Sequence, residues 1–512
     1  MEENNGKSSG LRKKTGLILG PLVFLGVALF GELDPARPEI TYALAIALLM
    51  AIWWITEALP LAVTSLVPVA LFPIFGVMDG QAVAATYFNH VIFLFIGGFI
   101  IALAMQKWNL HHRIALRILM LTGSSPARIL FGFMFATAFL SMWISNTATA
   151  MLMIPIVMSI IDELMKTSGK EATSKFSIGL LLGIAYSASI GGIATLVGTP
   201  PNLSFARIFH IYFPDAPEVS FARWFMFAMP MTVIFFLIVW VYLYYRYRPK
   251  KKDWHSPGIQ LFRDQYSKLG RIGYEEKVVL ASFILVALLW LFRAEINLGF
   301  LVIPGWSTYL NYSSFINDGT IAIFIGVLLF AIPAGKSQGG RIMDWETAVR
   351  LPWNIVLLFG GGFALASGFK ESGLSLWFGN QLSWVSHAHP ILIIFTIAIL
   401  ITFLTELTSN TATTEMILPV LAGLAFTIGI NPLYLMLPAT LSASMAFMLP
   451  VATPPNAIVF GTNNLQIMDM AKTGFILNII GAILVTLLTW LLGPVVFGMD
   501  TNVFPEWAIL GQ

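Results

Sequence analysis

Two short stretches, Ser145-Asn146-Thr147 and Ser409-Asn410-Thr411, set hydroxyls and amides in the middle of long apolar runs. Two more, Thr199-Pro200-Pro201-Asn202 and Thr453-Pro454-Pro455-Asn456, follow them in the same order. Hydroxyl, amide and carbonyl oxygens are hard, uncharged ligands that suit sodium, and the N–H and O–H donors of the same groups can hold a carboxylate oxygen. Thr199 and Thr453 read as helix N-caps, with Pro200 and Pro454 at the first helical position. A half-helix that begins there aims its free N–H groups and positive end at a cavity, where an anion is favoured. Carbonyls just before it, near Gly198 and Ala452, are left free for a cation. The chemistry is ion binding: two cation sites flanking one anion site.

The motifs are copies of one another. SNTATAMLMIP (Ser145 to Pro155) answers SNTATTEMILP (Ser409 to Pro419), 264 positions on. Phe95-Ile96-Gly97-Gly98-Phe99 answers Phe359-Gly360-Gly361-Gly362-Phe363 at the same offset, and the TPPN pair at 254. A lone motif of either kind would be read as a kink in a packed helix. Both motifs duplicated in order point to a shared site instead. Glu406 and Glu415 flank the second SNT, but Met142 and Met151 hold those places in the first, so a structural role is favoured over a proton path.

Other chemistries lack their parts. The chain has no cysteine, which removes disulfides, thiolate metal sites and cysteine nucleophiles. Its 7 histidines show no metal-ligand spacing, and zinc-protease, nucleophile-elbow and phosphate-loop motifs are absent. The paired glycines follow no strand, so they read as points of close helix contact. The chain does not read as an enzyme.

The elements that carry the motifs must lie in a membrane. Of 512 residues, 57% are hydrophobic and 11% charged, against about 25% charged in a soluble domain. Basic loops mark the cytoplasmic side. Lys7, Arg12, Lys13 and Lys14 place the N-terminus inside, before an uncleaved first helix. Apolar runs near 42–55 and 61–77 make a return trip, and a run near 91–105 reaches a basic loop with Lys107, Arg113, Arg117 and Arg128. The stretch near 129–161 has basic loops on both sides, so it enters and returns as a re-entrant hairpin tipped by the first SNT. The stretch near 391–425 has outer flanks and carries the second tip.

The reading is an all-α polytopic membrane protein of about 11 transmembrane helices plus two hairpins. It comprises two inverted repeats, each with a re-entrant helical hairpin and a broken transmembrane helix. Residues 1–85 form N-terminal scaffold helices, 86–211 the first half of a transport domain, and 212–350 further scaffold with a cytoplasmic basic loop. Residues 351–463 form the second half of the transport domain and 464–512 a C-terminal scaffold helix. The expected place is the cell inner (plasma) membrane, with the C-terminus extracytoplasmic.

Paired SNT tips followed by paired TPPN breaks resemble the divalent anion:sodium symporter family of di- and tricarboxylate transporters, and the resemblance runs over nearly the whole chain. It implies a homodimer that imports C4-type dicarboxylates (succinate, malate, fumarate) with sodium by elevator-type alternating access. 2-Oxoglutarate, citrate and sulfate stay open as substrates, and a sodium-independent di-/tricarboxylate exchanger is the rival on the same fold. It implies a first sodium site at Ser141, Ser145, Asn146 and Gly198, and a second at Thr405, Thr408, Asn410 and Ala452. Substrate would meet Ser145, Asn146, Thr147, Thr199, Ser409, Asn410, Thr411, Thr453 and Pro454. A channel would need a charged or carbonyl-lined filter repeat, which is missing.

Overall fold

The structure is a computed structural model that describes residues 2–249, 260–297, 302–335, 339–500 and 503–509. Residues 250–259 of the basic segment, and Lys336, lie outside the described residues. The chain is almost wholly helical, as a bilayer demands of backbone that must satisfy its own polar groups. Eight helical segments among the described residues are long and apolar enough to cross a membrane, and shorter apolar helices stand beside them.

The first unit opens with α1 (Glu2–Phe30) and α2 (Pro38–Thr56). The run expected as one crossing over 61–77 is instead two short helices, α3 (Leu61–Thr64) and α4 (Val67–Ile74). Pro68 lies in the first turn of α4, where its missing N–H has no partner within the helix, and so marks where the second helix begins. Next come α5 (Gly80–Thr86) and α6 (His90–Lys107), whose N-caps Asp79 and Asn89 each accept two backbone N–H groups. The basic loop expected after α6 holds a helix, α7 (Leu110–Thr122), with Leu110, Ala115, Leu116 and Leu119 buried along one side. Apolar residues at helical spacing lie between its arginines, and counting charge alone passes over them.

The pair α8 (Pro126–Ser141) and α9 (Asn146–Ser168) turns at the first SNT. The broken helix follows as α10 (Lys170–Ile193) and α11 (Pro200–Tyr212), then α12 (Phe221–Tyr247). With 16 residues, α8 is about 24 Å long, short of a hydrocarbon core of about 30 Å. Helix α10 is the most enclosed of the spanning segments, and a Cβ at its Gly191 would lie 2.2 Å from the Ala138 carbonyl of α8.

Between the repeats lie α13 (Gln260–Lys268), α14 (Tyr274–Leu291), α15 (Asp318–Ala331) and α16 (Trp345–Ala348). A two-stranded ribbon, β1 (Ile296–Asn297) against β2 (Val302–Ile303), was not expected from sequence. Arg293 there binds Asp318 at 2.6 Å and Glu218 at 2.7 Å, joining the ends of α14, α15 and the loop before α12.

The second unit repeats the plan: α17 (Trp353–Ser372), α18 (Leu374–Gln381), the pair α19 (Pro390–Thr405) and α20 (Asn410–Ile428), the broken helix α21 (Leu433–Ala443) and α22 (Pro454–Phe460), then α23 (Ile467–Phe497). Phe95 of α6 meets Phe359 of α17 edge to face, centroids 5.2 Å apart. These are equivalent residues of the two repeats, and a residue that touches its own counterpart marks a two-fold relation. The glycines act as spacers: a Cβ at Gly97 would lie 2.5 Å from Ala322 of α15, and one at Gly361 2.4 Å from the Ser65 carbonyl.

Candidate ion and substrate site

Each helix pair turns at its SNT, with the serine at the N-cap of the returning helix. Ser145 accepts the Ala148 N–H at 3.2 Å, whereas Ser409 stands at the equivalent N-cap with no side-chain cap bond. At the broken helices the pattern reverses. Thr453 caps α22 through the Asn456 N–H at 3.3 Å, and Thr199 makes no side-chain cap bond to α11. Both threonines are the N-caps expected, with proline in the first helical turn. The hydroxyls of Thr199 and Ser409 are thereby spared from capping.

Behind each tip three oxygens converge. Ser141 Oγ lies 2.5 Å from Asn146 Oδ1 and 2.7 Å from the Ala188 carbonyl. Thr405 Oγ1 lies 2.8 Å from Asn410 Oδ1 and 3.0 Å from the Ala443 carbonyl. One hydroxyl proton can serve only one of two acceptors, so each cluster holds more lone pairs than protons. A small cation relieves that excess, and the donor set is of the type sodium takes. The Gly198 carbonyl and Asn146 Oδ1 both face Gly192: a Cβ there would lie 2.8 Å from Asn146 Oδ1 and 3.1 Å from Gly198 O. Thr408 is turned elsewhere, with its hydroxyl on the Leu404 carbonyl at 3.0 Å and on Thr413 Oγ1 at 2.5 Å.

In front of the tips lies one cavity of about 500 Å³. It is lined by Ser145, Asn146 and Thr147 of the first tip, Ser409, Asn410 and Thr411 of the second, and Thr199, Thr453 and Pro454 of the breaks. Gly198, Thr408 and Ala452 also line it, while Ser141 and Thr405 are fully buried. All residues expected to meet substrate therefore share one chamber between the repeats. The helix starts of α9, α11 and α20 border it, giving it a positive character.

Several contributors escaped the sequence reading. The Ala188 and Ala443 carbonyls carry no side-chain signature, but each is the centre of a Ser-Ala-Ser triplet, 187–189 and 442–444, spaced by 255. The hydroxyls of Ser187, Ser189, Ser442 and Ser444 are buried with no hydrogen-bond partner among the described residues. Asn202 and Asn456 end the TPPN motifs as clamps. Asn202 Nδ2 donates to Thr195 O at 2.7 Å, and Asn456 Nδ2 to Ala446 O and Leu449 O at 3.0 Å each. Arg12, Glu57 and Asn354 line the cavity as well. The two acids beside the second tip are held by hydrogen bonds within the protein: Glu406 accepts three backbone N–H groups, and Glu415 accepts the Ser204 hydroxyl at 2.7 Å.

Comparison with known proteins gives the family of the chain. The profile described as "Sodium:sulfate symporter transmembrane region" matches residues 12–508. A protein named sodium-dependent dicarboxylate transporter SdcS from Staphylococcus saprophyticus is 46% identical over 503 residues, covering 97% of this chain and 94% of that one. The protein of the same name from Staphylococcus aureus strain bovine RF122 is 47% identical over 494 residues, covering 95% and 92%. Two solved structures share the fold at 14% identity. The Alcanivorax borkumensis YdaH transporter has a TM-score of 0.53 over 81% of this chain and 89% of its own. Neisseria gonorrhoeae MtrF has 0.52 over 80% and 84%. With a profile that spans nearly its whole length and relatives of this closeness, the chain belongs to the sodium:sulfate symporter family of membrane transporters.

Proposed function

We propose that this protein imports C4-type dicarboxylates such as succinate, malate and fumarate, together with sodium. The observation that carries the reading is that both SNT tips and both TPPN breaks line a single cavity, each tip backed by a proton-poor oxygen cluster. Duplicated donor sets facing one chamber suit a ligand with two like ends, which a dicarboxylate has and sulfate does not. The names of the SdcS relatives support the same class.

Sodium would be held at Ser141, Asn146, Gly198 and the Ala188 carbonyl, with Ser145 at the rim, and at Thr405, Asn410 and the Ala443 carbonyl, with Thr408 and Ala452 at the rim. Filling both clusters fixes the two asparagines, whose amides then present a rigid face to the dianion. Binding of one ligand thus prepares the site for the other. Arg12, from the segment that basic residues mark as cytoplasmic, lines the cavity, which supports reading this conformation as inward-facing.

For alternating access, both hairpins with α10, α11, α21 and α22 form the moving unit of an elevator, working as a homodimer. Helix α6 packs closely along α15, and α17 along α2 to α5, so these two helices form the border on which that unit slides. The test is uptake of labelled succinate into proteoliposomes. An inward sodium gradient should drive accumulation, with malate and fumarate competing better than sulfate. Equal uptake without sodium but with internal dicarboxylate would favour the exchanger instead.

A further inference from the structure

We infer that the groove between α7, α8 and α14 is a binding site for an anionic phospholipid. The groove has a volume of about 400 Å³. Its floor is one stripe of α7, with Leu110, Ile114, Arg117 and Ile118 at helical spacing, and its far wall is Phe135 and Phe139 of the first hairpin arm. Phe135 is 41% exposed and Leu121, at the end of α7, 76%. In a membrane protein such side chains meet acyl chains rather than water.

The cations at the rim decide which lipid. Arg113 is spent on the protein: its guanidinium binds Glu276 at 2.7 and 3.0 Å and donates to the carbonyls of Gly270 and Leu269. That ion pair is internally neutral and nearly buried. Arg117 lies one turn further on, exposed, with no ion pair or hydrogen bond among the described residues. Arg271, next to the lining residue Ile272, is exposed and unpaired in the same sense. Nearby Asp264 accepts the Gln260 amide at 2.8 Å, and Glu275 the Gly335 N–H at 2.8 Å. Unspent positive charge thus sits at the mouth of an apolar slot, at the end of the molecule that basic residues mark as cytoplasmic. A phosphate headgroup with net negative charge satisfies the arginines while its acyl chain lies along Phe135 and Phe139. A zwitterionic headgroup brings its own cation and gains less.

This site is separate from the ion cavity and does not depend on the proposed substrate. Native mass spectrometry of full-length protein, delipidated and reloaded with equal phosphatidylglycerol and phosphatidylcholine, tests it. The wild type should retain phosphatidylglycerol preferentially. Arg117→Gln should lower that retention about five-fold, the effect expected of one arginine beside an anionic surface. Arg117→Lys should keep most of it, and Arg128→Gln, outside the groove, should leave it unchanged. Equal retention of the two lipids, or wild-type retention in Arg117→Gln, would overturn the proposal. So would a disulfide-linked dimer formed by Arg117→Cys in this cysteine-free chain, since a second copy would then fill the groove.

Discussion

The carboxylate of Glu406 accepts the backbone N–H of Phe447 at 2.7 Å, and with it the N–H groups of Met448 at 2.8 Å and Leu449 at 3.1 Å. Asn478 Nδ2 completes the shell at 2.8 Å. One acid thus satisfies three successive amides of the unwound stretch that carries Ala452 and leads to Thr453. Glu406→Ala would leave these buried donors unpaired, at about 1–3 kcal/mol each, and should abolish folded protein in a thermal-shift assay. Glu406→Gln keeps one acceptor oxygen but turns an NH₂ toward the Leu449 N–H. We expect a loss of about 1–3 kcal/mol in stability, with sodium dependence of uptake intact. Uptake that became insensitive to a proton gradient only in the Gln variant would point to proton coupling instead.

Why the first repeat does without this acid explains what was legible in the sequence. Helix α10 continues through Ile193, five residues past Ala188, whereas α21 stops at Ala443 itself. The second break is therefore longer and frees more amides, which Glu406 takes up. In the first repeat the Met142 carbonyl instead accepts the Thr195 hydroxyl. Side-chain motifs such as SNT and TPPN could be read directly because they recur. Where a helix unwinds depends on packing, and the carbonyls it frees were marked only by the short Ser-Ala-Ser repeat around Ala188 and Ala443. The amphipathic α7 was hidden for a different reason: its arginines drew the reading of a basic loop and masked the apolar stripe between them.

Asn146→Ala and Asn410→Ala each remove the amide shared between an oxygen cluster and the cavity. Losing a hydrogen-bonding group to a charged ligand costs about 1.5–3 kcal/mol, roughly 10- to 150-fold in affinity. Sodium-driven succinate uptake should fall by at least that factor in both variants, with expression unchanged. Met151→Leu, on an exposed face of α9, serves as the control. Near-wild-type sodium activation in either asparagine variant would refute the site.

Gly192→Ala tests the same cluster from behind. The added methyl would lie 2.8 Å from Asn146 Oδ1 and 3.1 Å from the Gly198 carbonyl, closer than carbon and oxygen pack. The asparagine must move, so the sodium concentration for half-maximal uptake should rise at least ten-fold. Because Gly192 does not line the cavity, inhibition by direct contact with substrate is not at issue. An unchanged sodium dependence would separate Asn146 from cation binding.

Equivalent glycines should respond differently. A Cβ at Gly362 would run into the Glu415 carboxylate and lie 2.8 Å from the Glu415 Cβ, in a fully buried site. At Gly98, its counterpart, the nearest atom would be Val197 Cγ1 at 3.5 Å. Overpacking of this kind costs about 1–3 kcal/mol or more. Gly362→Ala should lower the melting temperature clearly and Gly98→Ala hardly at all, with Glu415→Ala partly restoring the Gly362→Ala protein. Equal effects in both singles would mean that Glu415 and α17 are not in contact.

Access to the cavity supplies the test of direction. Leu407, one residue before Thr408, lines the chamber and is 63% exposed. Arg12 lines the same chamber, so the proposed inward-facing reading has the second tip reached from the side of the N-terminus. A cysteine at Leu407 is the sole thiol in the chain. A membrane-impermeant maleimide should modify it in inside-out vesicles faster than in right-side-out ones. Sodium and succinate together should slow that reaction, because they favour states in which the tips close on the ligand, and a ligand shifts the population toward the state it binds better. Sodium alone should have a smaller effect, since it orders the tips without bridging them. Labelling only from the opposite side would reverse the orientation read from the basic residues. Labelling at one rate under all three conditions would remove the support for a moving unit that carries both hairpins.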